Sequence, residues 1–129
     1  MAKWLGNFIT IADFLDKYKD PDILKIFFLS SHYHMPIDFT SEAIEAAKAA
    51  KERLTIFFER VRDFLAETSL DSIEPDRKIL NTMRDEFEKA MNDDFNTAKA
   101  LAVIFDAVTA GNSMIDSSEF DEGLKAAFL

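Results

Sequence analysis

A chain of 129 residues with 48% apolar side chains and 13 phenylalanines is the size of one domain, and it holds enough apolar area to offset the entropy of ordering it, which excludes a disordered tail. The absence of cysteine removes disulfides, thiolate catalysis and cysteine-held zinc, and suits the reducing cytoplasm. A formal charge of −9 argues against a nucleic-acid module that works alone, and against DNA as a partner, because such modules draw affinity from neutralising phosphates.

No unbroken apolar run approaches the ~20 residues that span a bilayer, so no membrane partner is expected. Three glycines and three prolines punctuate the chain, and apolar residues recur at three and four, so the fold class is all-α. A first short helix is expected from about Ile11 to Tyr18, with Thr10 and Asp13 in a capping pattern. Asp20-Pro21-Asp22 reads as the cap and first turn of a second helix. Ile23, Leu24, Ile26, Phe27, Phe28 and Leu29 make that helix apolar on nearly every side, which predicts the centre of the core. SSHYHMPIDFT then breaks the pattern.

Thr40 caps the longest helix, about Ser41 to Glu67, with Ala43, Ala47, Ala50, Leu54, Phe57, Phe58, Val61 and Leu65 expected to face the core. Pro75 starts a fourth helix whose apolar side is Ile79, Leu80, Met83, Phe87 and Met91. Asn96 or Thr97 caps a fifth, with Leu101, Ile104, Phe105 and Val108 inward, and Gly111-Asn112 is expected to end it. A last helix opens at Ser118 and runs through Phe120, Leu124 and Phe128. It is short enough to suggest that the chain is a piece of a longer polypeptide.

Three blocks of sequence, MAKWLGNFIT, DKYKDPDILKIFFLSSHYHMPIDFT and MNDDFNTAKALAVIF, resemble in order and spacing a region of the cysteinyl-tRNA synthetases, class I aminoacyl-tRNA synthetases. The resemblance covers about Met1 to Phe105 and starts at the class I signature loop, Lys-Met-Ser-Lys-Ser-Leu-Gly-Asn. Met1 to Asn7 stand on its last seven residues, and Asp22-Ile23-Leu24-Lys25 on the Asp-Ala-Leu-Arg tetrad of the DALR helical domain. The resemblance implies short stem-contact helices followed by an antiparallel helical bundle. Residues 1–39 are the expected signature-loop remnant and stem-contact segment and 40–129 the DALR-like bundle, in one compact unit. It further implies a parent that ligates cysteine to tRNA(Cys) with ATP, through a cysteinyl-adenylate, and that uses zinc.

By the same resemblance Lys3 matches the lysine that stabilises charge on the ATP phosphates, a role it can play only beside the parent catalytic domain; Trp4 stands where the family has a small hydroxyl residue. No nucleotide-binding strand-loop-helix and no His-x-Gly-His element is present, so the chain alone is expected to be inactive, with no cofactor of its own. His34 stands where the family commonly has arginine, beside the tRNA. The SSHYH cluster has poor metal-ligand spacing and no metal is expected; a junction that hydrogen-bonds its own backbone is the plainer reading. Asp93, Asp94 and Asn96 lack the glycine and terminal glutamate of a calcium loop and are expected to cap the next helix.

Lys48, Lys51, Arg53, Arg60 and Arg62 stand against Glu52 and Glu59, a local balance of +3. Two readings stay open for them: a solvated face with ordinary ion pairs, or contact with tRNA phosphates. The function expected overall is tRNA positioning and bracing of the parent catalytic domain, with that domain and tRNA(Cys) as partners. The alternatives are a free-standing helical protein-interaction module that lost the catalytic domain, and a generic helical bundle with no RNA connection.

Overall fold

The computed structural model describes residues 9–67 and 77–127, with side chains over 9–66 and 78–117. Five helices follow one another: α1 Ile11–Tyr18, α2 Pro21–Leu29, α3 Ser41–Glu67, α4 Arg77–Asn92 and α5 Thr97–Ala127. Among the described residues there is no strand. The fold is all-α.

Local chemistry sets the first boundaries. The Asp13 amide donates to Thr10 Oγ1 and the Thr10 amide to Asp13 Oδ2, each at 3.0 Å, a reciprocal capping box. The Thr10 hydroxyl also donates to Asp13 Oδ2 at 2.6 Å, and this bond, with that from the Thr10 amide, favours the ionised carboxylate and holds Asp13 below the usual carboxylate range. Lys19 turns left-handed at φ 58 and closes α1. Asp20 then caps α2 by accepting from the Asp22 amide at 3.0 Å, and Pro21 takes the first helical position. The Asp20 carboxylate also takes Lys51 Nζ of α3 at 2.8 Å, so one side chain starts a helix and ties it to its neighbour.

Two apolar centres follow. Phe14, Ile23, Phe27, Ile44 and Ala47 are buried together where α1 and α2 lie on the start of α3, with Ile37 and Phe39 of the connecting loop packed against them. Phe39 meets Phe27 edge-on at 5.4 Å, a favoured geometry for two rings. Farther along the chain, Ala90 of α4 and Ala100, Val108 and Ile115 of α5 are buried. The short turn after Asn92 makes α4 and α5 antiparallel neighbours. Arg53 lies over Phe105, while Arg60 bonds Asn112. Residue numbers therefore rise together along α3 and α5, which run parallel.

Several expectations are corrected. Gly111-Asn112 does not end a helix, and no separate helix starts at Ser118: α5 is continuous to Ala127. Gly111 serves close approach instead, because a Cβ there would meet the Phe57 ring at 2.7 Å. Asn112 is engaged across the bundle, accepting from Arg60 Nη1 at 2.6 Å. The unbroken helix does bring together a stretch of high average hydropathy, although polar and charged residues interrupt it. Thr97–Ser117, with mean hydropathy 1.2, is long and apolar enough to cross a membrane by length and composition. It carries Lys99, Asp106 and Asp116 and lies against α3 and α4, and a bundle helix passes the same test that way.

Phe58 and Leu65 do not face the core: Phe58 is 67% exposed. Neighbouring residues on a helix point ~100° apart, so Phe57 lies against Gly111 of α5 while Phe58 stands at the open rim of the groove beside it; Phe64 is half-buried beside the exposed Leu65. On α2, Phe28 and Leu29 are exposed because the helix is covered along one side only. Leu80, Phe87 and Ile104 are exposed as well. Leu54, Phe57, Leu80, Met83, Ile104 and Met114 help line an open apolar groove of about 400 Å3 among α3, α4 and α5. Pro75, the expected start of α4, lies outside the described residues.

Candidate nucleic-acid interface

The loop after α2 is built from its own bonds. Ser30 Oγ donates to the Phe27 carbonyl at 2.7 Å, and the Met35 amide donates to the His32 carbonyl at 2.8 Å. That turn stacks the rings of His32 and His34, with centroids 5.6 Å apart, and brings Tyr33 within 4.1 Å of His34. At the α4–α5 junction Asp94 and Phe95 are both left-handed, at φ 53 and 51. This conformation is costly for a side chain such as phenylalanine. The Asn96 amide reaches back to the Ala90 carbonyl at 3.1 Å, and Asn96 Oδ1 accepts from the Lys99 amide at 3.1 Å.

These two segments meet. Tyr33 Oη donates to Asp94 Oδ1 at 2.7 Å, and His34 Nε2 lies 3.1 Å from Asp94 Oδ2. Asn96 caps α5 as expected, but the Asp94 carboxylate does not: both its oxygens face the loop 61 residues earlier in the chain. The bond to Asp94, joined by its negative charge, pushes the Tyr33 phenol above its ordinary range. Tyr33 remains 61% exposed, so the contact leaves most of its ring open to solvent. No local sequence signal marks this pair. Tyr33 and Asp94 each read plausibly as surface residues, and only the folded chain brings them together.

The cations of α3 divide into two groups. Lys51 is tied to Asp20 at 2.8 Å, and its ammonium is held above the usual lysine range by that bond. Arg60 donates to Asn112 at 2.6 Å and to the Asp116 carboxylate, which fastens α3 to α5. Arg53 lies 4.8 Å from the centre of the Phe105 ring, a cation–π contact. Among the described residues, Lys48 and Arg62 are paired with near neighbours on their own helix, Glu45 at 3.8 Å and Asp63 at 3.1 Å. Surface pairs of this kind contribute little and exchange readily with solvent or a phosphate.

Lys3 lies outside the described residues. Among the described residues no group of three His, Cys, Asp or Glu side chains is placed to hold a metal, and His34 and Asp94 already face each other. The zinc implied by the resemblance finds no ligand set there.

Residues 1–49 match the family of tRNA synthetases class I (C) catalytic domain, and residues 86–129 match the DALR domain. The cysteine–tRNA ligase of Thermodesulfovibrio yellowstonii is 43% identical over 120 residues, 90% of this chain and 24% of that protein. That of Carboxydothermus hydrogenoformans is 39% identical over 128 residues, 99% of this chain and 27% of its own length. That of Thermococcus gammatolerans is 39% identical over 124 residues, 92% of this chain and 26% of its own. The chain thus spans about a quarter of the length of these relatives. A helical chain with a class I synthetase match at one end and a DALR match at the other falls among the class I aminoacyl-tRNA synthetases. Within that class, the chain belongs to the cysteinyl-tRNA synthetase family.

Proposed function

We propose that this chain is a non-catalytic part of a cytoplasmic cysteine–tRNA ligase, which braces the catalytic domain and helps position tRNA(Cys). The whole enzyme ligates cysteine to that tRNA with ATP through a cysteinyl-adenylate. Lys3 belongs to this reading only as a cation that would approach the ATP phosphates from the signature loop once the catalytic domain surrounds it. Stabilising phosphate charge requires a triphosphate already held in place, and the described helices offer apolar or shallow surfaces rather than a phosphate cradle.

One observation carries the reading: the class I match and the DALR match sit on a single helical scaffold whose loop and α4–α5 junction are bonded together. His34, Lys48, Arg53 and Arg62 are the exposed candidates for tRNA contact on it, Arg53 with its guanidinium over the Phe105 ring. They would contact phosphates and so set orientation rather than read bases. Two assays on the chain test the proposal. ATP–pyrophosphate exchange with cysteine should give no signal above buffer. A titration with tRNA(Cys) at low salt should show binding that weakens as salt rises. Measurable exchange, or no binding at low salt, would overturn it.

A further inference from the structure

We infer that Asp94 is a positioning residue: its carboxylate latches the His32–Met35 loop onto the α4–α5 junction and thereby fixes how the region matched to the synthetase catalytic domain meets the DALR region. Tyr33 and His34 fall within residues 1–49 and Asp94 within residues 86–129, so the bonds join the two matched regions directly. Both carboxylate oxygens are engaged: Oδ1 accepts from the Tyr33 hydroxyl at 2.7 Å, and Oδ2 lies 3.1 Å from His34 Nε2, an ion pair when the imidazole is protonated. A bond and a second contact that diverge from one planar group restrict rotation as well as distance. Thr97 Oγ1, 3.5 Å from the Ser31 carbonyl, lies alongside as a weaker third contact.

The backbone points the same way. Asp94 and the exposed Phe95 both hold left-handed geometry, and strained residues persist where surrounding contacts over-determine them. Aspartate tolerates that conformation better than most residues, because its short polar side chain can be satisfied nearby; here the satisfaction comes from the distant loop. The consequence for tRNA rests on the positioning role proposed above, whereas the latch itself does not.

The test uses the 129-residue chain and three variants. Tyr33→Phe keeps the ring and removes the donor. Asp94→Asn keeps an acceptor and tolerates the left-handed backbone, and Asp94→Ala removes both acceptor oxygens. Amide hydrogen exchange should accelerate roughly threefold to tenfold at residues 93–97 in Tyr33→Phe, and by a similar factor at residues 31–36 in Asp94→Ala, the range expected for losing one such bond. Asp94→Asn should fall between wild type and Asp94→Ala. The α1–α2 core should keep its protection in all three, which separates loss of the latch from general unfolding. Ultraviolet titration of the two tyrosines should show the Tyr33 phenol returning toward its ordinary range in Asp94→Ala. If each substitution loosens only its own segment, or if Asp94→Ala leaves the Tyr33 titration where it was, the latch is disproved. In tRNA(Cys) titrations the variants should bind more weakly with an unchanged salt slope. Wild-type chain that fails to bind tRNA at all overturns the positioning role instead, and the exchange data still decide on the latch.

Discussion

Gly111 shows how one missing Cβ shapes the bundle. The Phe57 ring occupies the place where that atom would stand, 2.7 Å from its ideal position. Alanine there gains up to ~1 kcal/mol of helix propensity and must push the ring aside. The ring is the far end of its side chain and borders the open groove, so it has somewhere to go. Gly111→Ala should therefore change the unfolding free energy by less than about 1 kcal/mol, while Gly111→Leu, which drives a branched side chain into the ring, should cost about 1–3 kcal/mol; chemical denaturation of both decides it. The Asp20–Lys51 pair makes a second prediction at this scale. Lys51 lowers the Asp20 pKa, as does the amide of Asp22, so the pair's contribution to stability is present above the ordinary carboxylate range and is lost as pH falls through the lowered value. The Lys51 pKa is raised, so its contribution holds below the ordinary lysine range and fades as pH rises through the raised value. Lys51→Met should move the acid-unfolding midpoint to higher pH, read by circular dichroism, and an unmoved midpoint would show that the pair contributes nothing to folding.

Helices in this chain are held to one another by side chains that carry charge at one end and pack along their stems. Arg60 is the clearest: its guanidinium bridges Asn112 and Asp116, two positions four apart on α5, and so fixes the sliding of α3 against that helix. Arg60→Met keeps most of the stem and leaves both acceptors to water. With Arg60 a third exposed, solvent screening discounts the loss to about 1 kcal/mol, measurable as a lower denaturation midpoint with α1 and α2 unaffected. The element boundaries that sequence made legible are those with local causes, the Thr10 box, the Asp20-Pro21 start and the Asn96 cap, since each is a bond within three residues. The continuity of α5 was not legible. Glycine followed by asparagine signals a helix end in isolation, and only the Phe57 ring and the Arg60 guanidinium, both on another helix, give those residues a different use. The Asp94 contacts were hidden for the same reason, because both partners lie 60 residues or more away in sequence.

Across the whole molecule a net charge of −9 sets the terms for any contact with RNA. A protein of that charge repels a polyanion at long range, and binding depends on the few cations free to leave their partners. Sequence marked five on α3 as one patch, and the fold separates them. Lys51 and Arg60 are bound to groups on α2's cap and on α5, and Arg53 lies over Phe105. Among the described residues, Lys48 and Arg62 have their own helix's carboxylates to release. The proposed tRNA contact therefore makes a graded prediction. Lys48→Gln and Arg62→Gln should each weaken tRNA(Cys) binding and reduce the slope of log affinity against log salt by about 1, the mark of one phosphate contact removed. Arg60→Gln should lower stability and leave the salt slope near wild type, because its charge is already neutralised within the fold. Equal loss of slope from all three would mean that the bundle opens its internal ion pairs to take the RNA. An unchanged slope in Lys48→Gln and Arg62→Gln would move the tRNA off α3 altogether.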